Sequence, residues 1–135
     1  MNQFERVAFA LSGGVVELIL RAFNHCWILD EEVKHVFPDG RSLTAEKGMA
    51  YDSFTWAPNL RNEDGSRSRA AAVHDKGWLT GKKDDGTFLT FDENNASFRA
   101  VLDKEGHPEW VKDLYSKGVS LPFMRNKWRR THRHQ

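Results

Sequence analysis

His74 and Asp75 stand side by side in the run Ala70-Ala71-Ala72-Val73-His74-Asp75-Lys76-Gly77-Trp78, downstream of Asp52 and Ser53 in the segment Gly48 to Pro58. Imidazole, carboxylate and hydroxyl together are the groups of general acid–base and metal-assisted chemistry. In a catalytic reading His74 is a general base that titrates near the working pH, and Asp75 and Asp52 coordinate a hard cation such as calcium. Neighbouring helical residues point roughly 100° apart, so His74 and Asp75 each need a separate partner. The same residues also make a buried polar network. There His74 hydrogen-bonds Asp52 or Asn95, Asp75 caps loop amides, and the loop is pinned to the helix. Both readings stay open at the level of sequence.

Other reactive types are poorly placed. His25 and Cys26 are neighbours in a strand-like stretch, so their side chains leave on opposite faces. Cys26 is the only cysteine, which rules out an intramolecular disulfide and fits a reducing compartment. His132 and His134 share a terminal segment that offers no supporting shell for a metal. Phosphate-binding glycine loops, zinc spacings and nucleophile elbows do not occur. Arg125 to Gln135 carries five Lys or Arg and no acid. Its Arg125, Lys127, Trp128, Arg129, Arg130 and Arg133 form a basic tail that fits an acidic groove on a protein partner, or nucleic acid phosphates with Trp128 stacking on a base.

The elements that position these groups run in the order strands, then helices, which predicts an α+β fold. Residues Phe4 to Phe23 read as two short apolar segments around Ser12-Gly13-Gly14, and the alternation in Val15 to Arg21 favours a strand. His25 to Leu29 and Val33 to Phe37 are strand-like, with Pro38-Asp39-Gly40 as a turn and Arg41 to Lys47 as the returning strand. Gly48 to Asp64 reads as a long ordered loop. A helix is predicted from Arg69 to Trp78, capped at Ser66 or Ser68 and weakened at Gly77. Gly81 to Gly86 reads as a solvent-exposed loop. A second helix follows Asp92, from Glu93 to Lys104, closed by Gly106 and Pro108. A third covers Glu109 to Lys117 with Trp110, Leu114 and Val111 inward. The expected core is Phe98, Leu102, Val73, Trp27, Leu29 and Leu114, in one domain over residues 1–124 with the basic tail over 125–135.

The chain has 135 residues, enough to bury a core without staples, and a formal net charge of +1 that argues for no polyanionic partner as a whole. Five Trp and nine Phe supply bulky core material. Val7 to Leu20 is broken by Ser12-Gly13-Gly14 and carries Glu17, so it is too interrupted to span a bilayer. It lacks the pattern of a signal peptide as well, because no small-residue cleavage site follows it.

From Trp27 to Gly106 the chain resembles the domain-of-unknown-function family DUF 1353, met mostly in bacteriophage and prophage genomes. Trp27 and Leu29 match its first strand, Gly48, Asp52 and Pro58 its loop, Ala70, His74 and Asp75 its first helix, and Glu93, Phe98, Leu102 and Gly106 its second. Asn95 stands where that second helix carries Asp. Trp78 stands in place of Tyr, and Gly77 in place of Leu. The resemblance implies a small phage protein in the virion or the host cytoplasm. It would work among phage structural proteins as a structural or assembly component at the tail or the head–tail junction. Its His-Asp helix is also similar to that of secreted-type phospholipases. That likeness implies the alternative, a hydrolase acting on lipid or cell-envelope substrates with calcium as its cofactor; the assembly reading calls for none.

Overall fold

The computed structural model describes residues 26–52 and 60–133. The expectations for Phe4 to Phe23 and for His25, Ser53, Pro58 and His134 lie outside those residues. The fold is α+β, built from two small antiparallel sheets and, among the described residues, four helices. Strand β1 (Cys26–Ile28) pairs with β4 (Ala50–Asp52), and β2 (Val33–Val36) pairs with β3 (Ser42–Ala45) as a hairpin nested between them. Helices α1 (Ala70–Thr80), α2 (Phe91–Lys104), α3 (Glu109–Val119) and α4 (Pro122–Thr131) follow in order.

The hairpin forms where turn chemistry demands it. Gly40 takes a left-handed φ of 88°, the Phe37 amide donates to the Arg41 carbonyl at 2.7 Å, and Asp39 accepts from the Arg41 amide. On β3 the pleat turns Leu43 and Ala45 inward, and both are fully buried. Asp84 then closes the outer edge of β3. It accepts from the Thr44 amide and from the Ser42 and Thr44 hydroxyls, and its own amide donates to the Ser42 carbonyl. The loop expected to be simply solvated is therefore a clamp. Lys83 beside it is buried and paired with Glu93 at 2.6 Å.

Helix α1 is the central element, packed against β3 and β4 on one side and α2 on the other. That position explains its composition: Ala70, Ala71, Ala72 and Val73 are all buried, and small side chains let flanking elements approach from several directions. The helix runs through Gly77 and stops at Gly81, which adopts φ 63° and donates to the Gly77 carbonyl. Its start is capped from a distance. The Glu105 carboxylate, just past the end of α2, accepts from the Arg69 amide at 2.8 Å and from the Ser68 hydroxyl at 2.6 Å. Helix α2 starts at a capping box of Thr90 and Glu93, two residues earlier than the Asp92 cap expected from sequence.

Two further expectations need correction, besides the loop over Gly48 to Asp64, whose Ala50–Asp52 is strand β4. Helix α3 turns Val111, Tyr115 and Val119 to the core, an i, i+4, i+8 stripe, and leaves Trp110 (69% exposed) and Leu114 (50%) on the surface. The basic segment is not a free tail: residues 122–131 form α4, so the boundary drawn at 124/125 falls inside a helix. Trp128 anchors that helix with 0% exposure, edge-on to Trp78 at 4.9 Å and tilted against Phe91 at 6.0 Å. Burying so large a side chain outweighs the low apolar content of the rest of α4. The other expected core residues, Phe98, Leu102, Val73 and Leu29, are buried, and Trp27 packs half-buried against them.

Candidate functional site

The His74 side chain leaves α1 towards α2. Its Nε2 lies 3.1 Å from the Asn95 amide oxygen, and its ring packs against Phe98 with centroids 5.3 Å apart. An amide oxygen only accepts, so Nε2 carries the proton and donates. Asn95 in turn donates from Nδ2 to the Ser120 hydroxyl at 3.3 Å, which ties α1 to α2 and to the end of α3. One position back on α2, the fully buried Asn94 donates to the His74 backbone carbonyl at 3.1 Å. Gly77 makes room for this: a Cβ there would fall inside the Asn94 carboxamide. Two consecutive asparagines of α2 thus hold one histidine of α1, by ring and by backbone.

Burial sets the electrostatics. His74 is 7% exposed, and loss of solvation pulls its pKa down to about 4, only partly opposed by the bond to Asn95. At neutral pH the ring is uncharged and its Nε2 proton is engaged. Of the residues picked out by sequence, the structure joins His74 to Asn95. Asp75 lies partly exposed one position on. The backbone of Asp52 ends β4 opposite Cys26, while its side chain lies outside the described residues. Among the described residues no three His, Cys, Asp or Glu side chains converge to hold a cation.

The basic positions divide. Trp128 is core and cannot stack on a base. Arg125 donates to Asp92 at 2.6 Å and lies over the Phe91 ring at 4.9 Å, which fixes the start of α4 to the start of α2. Lys127 approaches the Trp78 ring at 6.0 Å. Arg129, Arg130 and Arg133 are exposed and are the cations left to face a partner.

Sequence reasoning missed a run of exposed apolar side chains from α3 into the start of α4. Trp110 and Leu114 sit one turn apart on α3, and Leu121 (42% exposed) and Phe123 (62%) follow where α4 begins. The signal was present: α3 carries two apolar stripes, and only one can face the core. Among the described residues no helix is long and apolar enough to cross a membrane. No protein-family model, curated protein or solved structure matches the chain. The likeness to DUF 1353 therefore rests on the motif residues alone.

Proposed function

We propose that this chain is a small bacteriophage-type structural or assembly component of a virion, at the tail or the head–tail junction, that acts by docking rather than by catalysis. One observation carries the docking part: four large apolar side chains, Trp110, Leu114, Leu121 and Phe123, stand exposed within fourteen residues, from the first turn of α3 to the start of α4. Exposed aromatic and aliphatic anchors of this kind mark protein interfaces. Exposed Arg129 and Arg130 lie further along α4 and supply a polar rim. The virion setting comes from the family resemblance. The hydrolase alternative draws no support from His74, whose ring is buried, neutral and already donating to Asn95.

The test is mass spectrometry of gradient-purified particles of the encoding phage or prophage, with wild-type chain and with Trp110→Glu/Leu114→Glu. Both side chains are exposed, so the variant should fold as the wild type does. The expected result is wild-type chain in the particle and variant chain left in the soluble fraction. A wild-type chain absent from particles and monomeric in sedimentation would overturn the reading.

A further inference from the structure

Charge is segregated along this chain. Residues 114–135 carry six Lys and Arg and no acid, whereas residues 1–113 carry fourteen Lys and Arg against nineteen Asp and Glu. A net charge near zero therefore hides a cationic end, and α4 gathers most of it. Arg125 is spent on Asp92. Among the described residues Lys127, Arg129, Arg130 and Arg133 have no carboxylate within ion-pair distance, and all four are exposed. The side chains outside the described set include three acids, Glu5, Glu17 and Asp52, against Arg6 and Arg21. That balance of one negative charge cannot neutralise four cations, wherever those side chains lie.

The fold turns this charge outward and holds it there. Trp128 is fully buried against Trp78 and Phe91, and His132 is buried beside Gly81. At 3.6 residues per turn, Asn126, Lys127, Arg129 and Arg130 share an arc of about 160° centred opposite Trp128. Every exposed side chain from 126 to 133 is a hydrogen-bond donor and none is apolar: Asn126, Lys127, Arg129, Arg130, Thr131 and Arg133. The apolar anchors proposed for docking stop at Phe123, three residues earlier. A protein interface needs an apolar core inside its polar rim, and this face has none. A membrane surface asks for apolar side chains to insert. A phosphate backbone asks for neither, and Arg, Lys, Asn and Thr are among the donors that hold one. We infer that this face of α4 binds the phosphate backbone of a nucleic acid duplex. The one aromatic ring of this stretch besides histidine, Trp128, is in the core, so the face grips phosphates without stacking on bases and takes duplexes irrespective of sequence.

The experiment follows the fluorescence anisotropy of a labelled mixed-sequence duplex as the full chain is added, at salt concentrations from about 50 mM to about 200 mM. The expected result is saturable binding at the lower salt. Log K should fall against log salt with a slope of about −3 to −4, as four neutralised phosphates require. Arg129→Gln/Arg130→Gln should weaken binding about tenfold or more at the lower salt and bring the slope to about −2. Lys127→Gln/Arg133→Gln should do the same, and decides the matter where the first variant fails to fold. Lys34→Gln/Lys104→Gln removes two exposed cations that border a cleft between β2 and α2, and should change affinity by less than about threefold. A duplex of unrelated sequence should bind within about threefold of the first. Duplex binding does not depend on entry into particles, so this inference and the docking reading fail separately. Five results overturn it: no saturable binding at the lower salt, a slope that neither α4 variant changes, an equal loss from Lys34→Gln/Lys104→Gln, tighter binding of the single strand than of the duplex, or equally tight binding of poly-glutamate or of phosphatidylserine–phosphatidylcholine vesicles.

Discussion

Lowering the pH should destabilise this protein through His74 before it touches the carboxylates. Folded, His74 stays neutral until about pH 4; unfolded, it takes up a proton near its ordinary 6.5. Between those values the unfolded chain binds the extra proton, so stability falls as pH falls, by up to about 1.4 kcal/mol per pH unit. Above about 6.5 this contribution is flat, and over the whole window it reaches about 3 kcal/mol. The acids held below their ordinary range, such as Asp84 with its hydroxyl and amide donors and Glu46 with Lys76, act lower down. Their contribution is complete above the ordinary 3.8 to 4.5 and is lost as pH falls through that range and below it. Among the groups with a resolved shift, His35 has the same sign in the same window, lowered by burial and by Lys104. The assay is urea unfolding from about pH 7 to about pH 5, on wild type, His74→Gln, His35→Gln and Asn95→Asp. Wild type should lose about 2 kcal/mol across that range through His74. His74→Gln should start about 1–3 kcal/mol lower from lost packing on Phe98, then fall less steeply than wild type, with the slope that His35 contributes left in place. Asn95→Asp should raise the His74 pKa by placing a carboxylate beside the ring, and so shrink the low-pH loss. A His74→Gln variant with the wild-type slope, or an imidazole that titrates near 6.5 by NMR, would refute the burial argument and give the ring back to catalysis.

Two further outcomes follow from packing. Trp128→Ala should cost about 3–5 kcal/mol in chemical denaturation, whereas Arg129→Ala should stay within about 0.5 kcal/mol; equal effects would mean that α4 is not anchored by its indole. Gly77→Ala should destabilise by about 1–3 kcal/mol although helix propensity alone favours Ala, because the Cβ would meet the Asn94 carboxamide, which its bond to the His74 carbonyl holds in place. A neutral or stabilising Ala in thermal melts would show that Asn94 can move aside.

Local chemistry was legible in the sequence, and non-local chemistry was not. The Pro38-Asp39-Gly40 turn and the Gly106 stop are written in residues that act on their own neighbours. Strand β4 was read as loop because Ala50-Tyr51-Asp52 carries no alternation of its own and becomes a strand only by pairing with β1. Glu105 gives no sequence sign of capping a helix that begins 35 residues upstream of it. Helix α4 hid because Trp128 is its one buried side chain, and one point makes no period. The face of α3 was misjudged because Trp110 and Leu114 are larger than the Val111 and Val119 that the core accepts.

The His-Asp pair shows why a motif alone does not carry chemistry. A histidine that shuttles protons needs a solvated or charge-stabilised imidazolium, and an acid at position 95 would help to supply one. Asn95 offers an amide oxygen, which suits a neutral ring and does little for a charged one. With a neutral amide at 95, His74 is buried as a neutral ring among Asn94, Asn95 and Phe98. The asparagine at 95 and the depressed pKa at 74 are two faces of one arrangement, in which the histidine braces α1 against α2. The side chains proposed for docking lie elsewhere, on α3 and at the start of α4. The interior polar network keeps α1 and α2 in register.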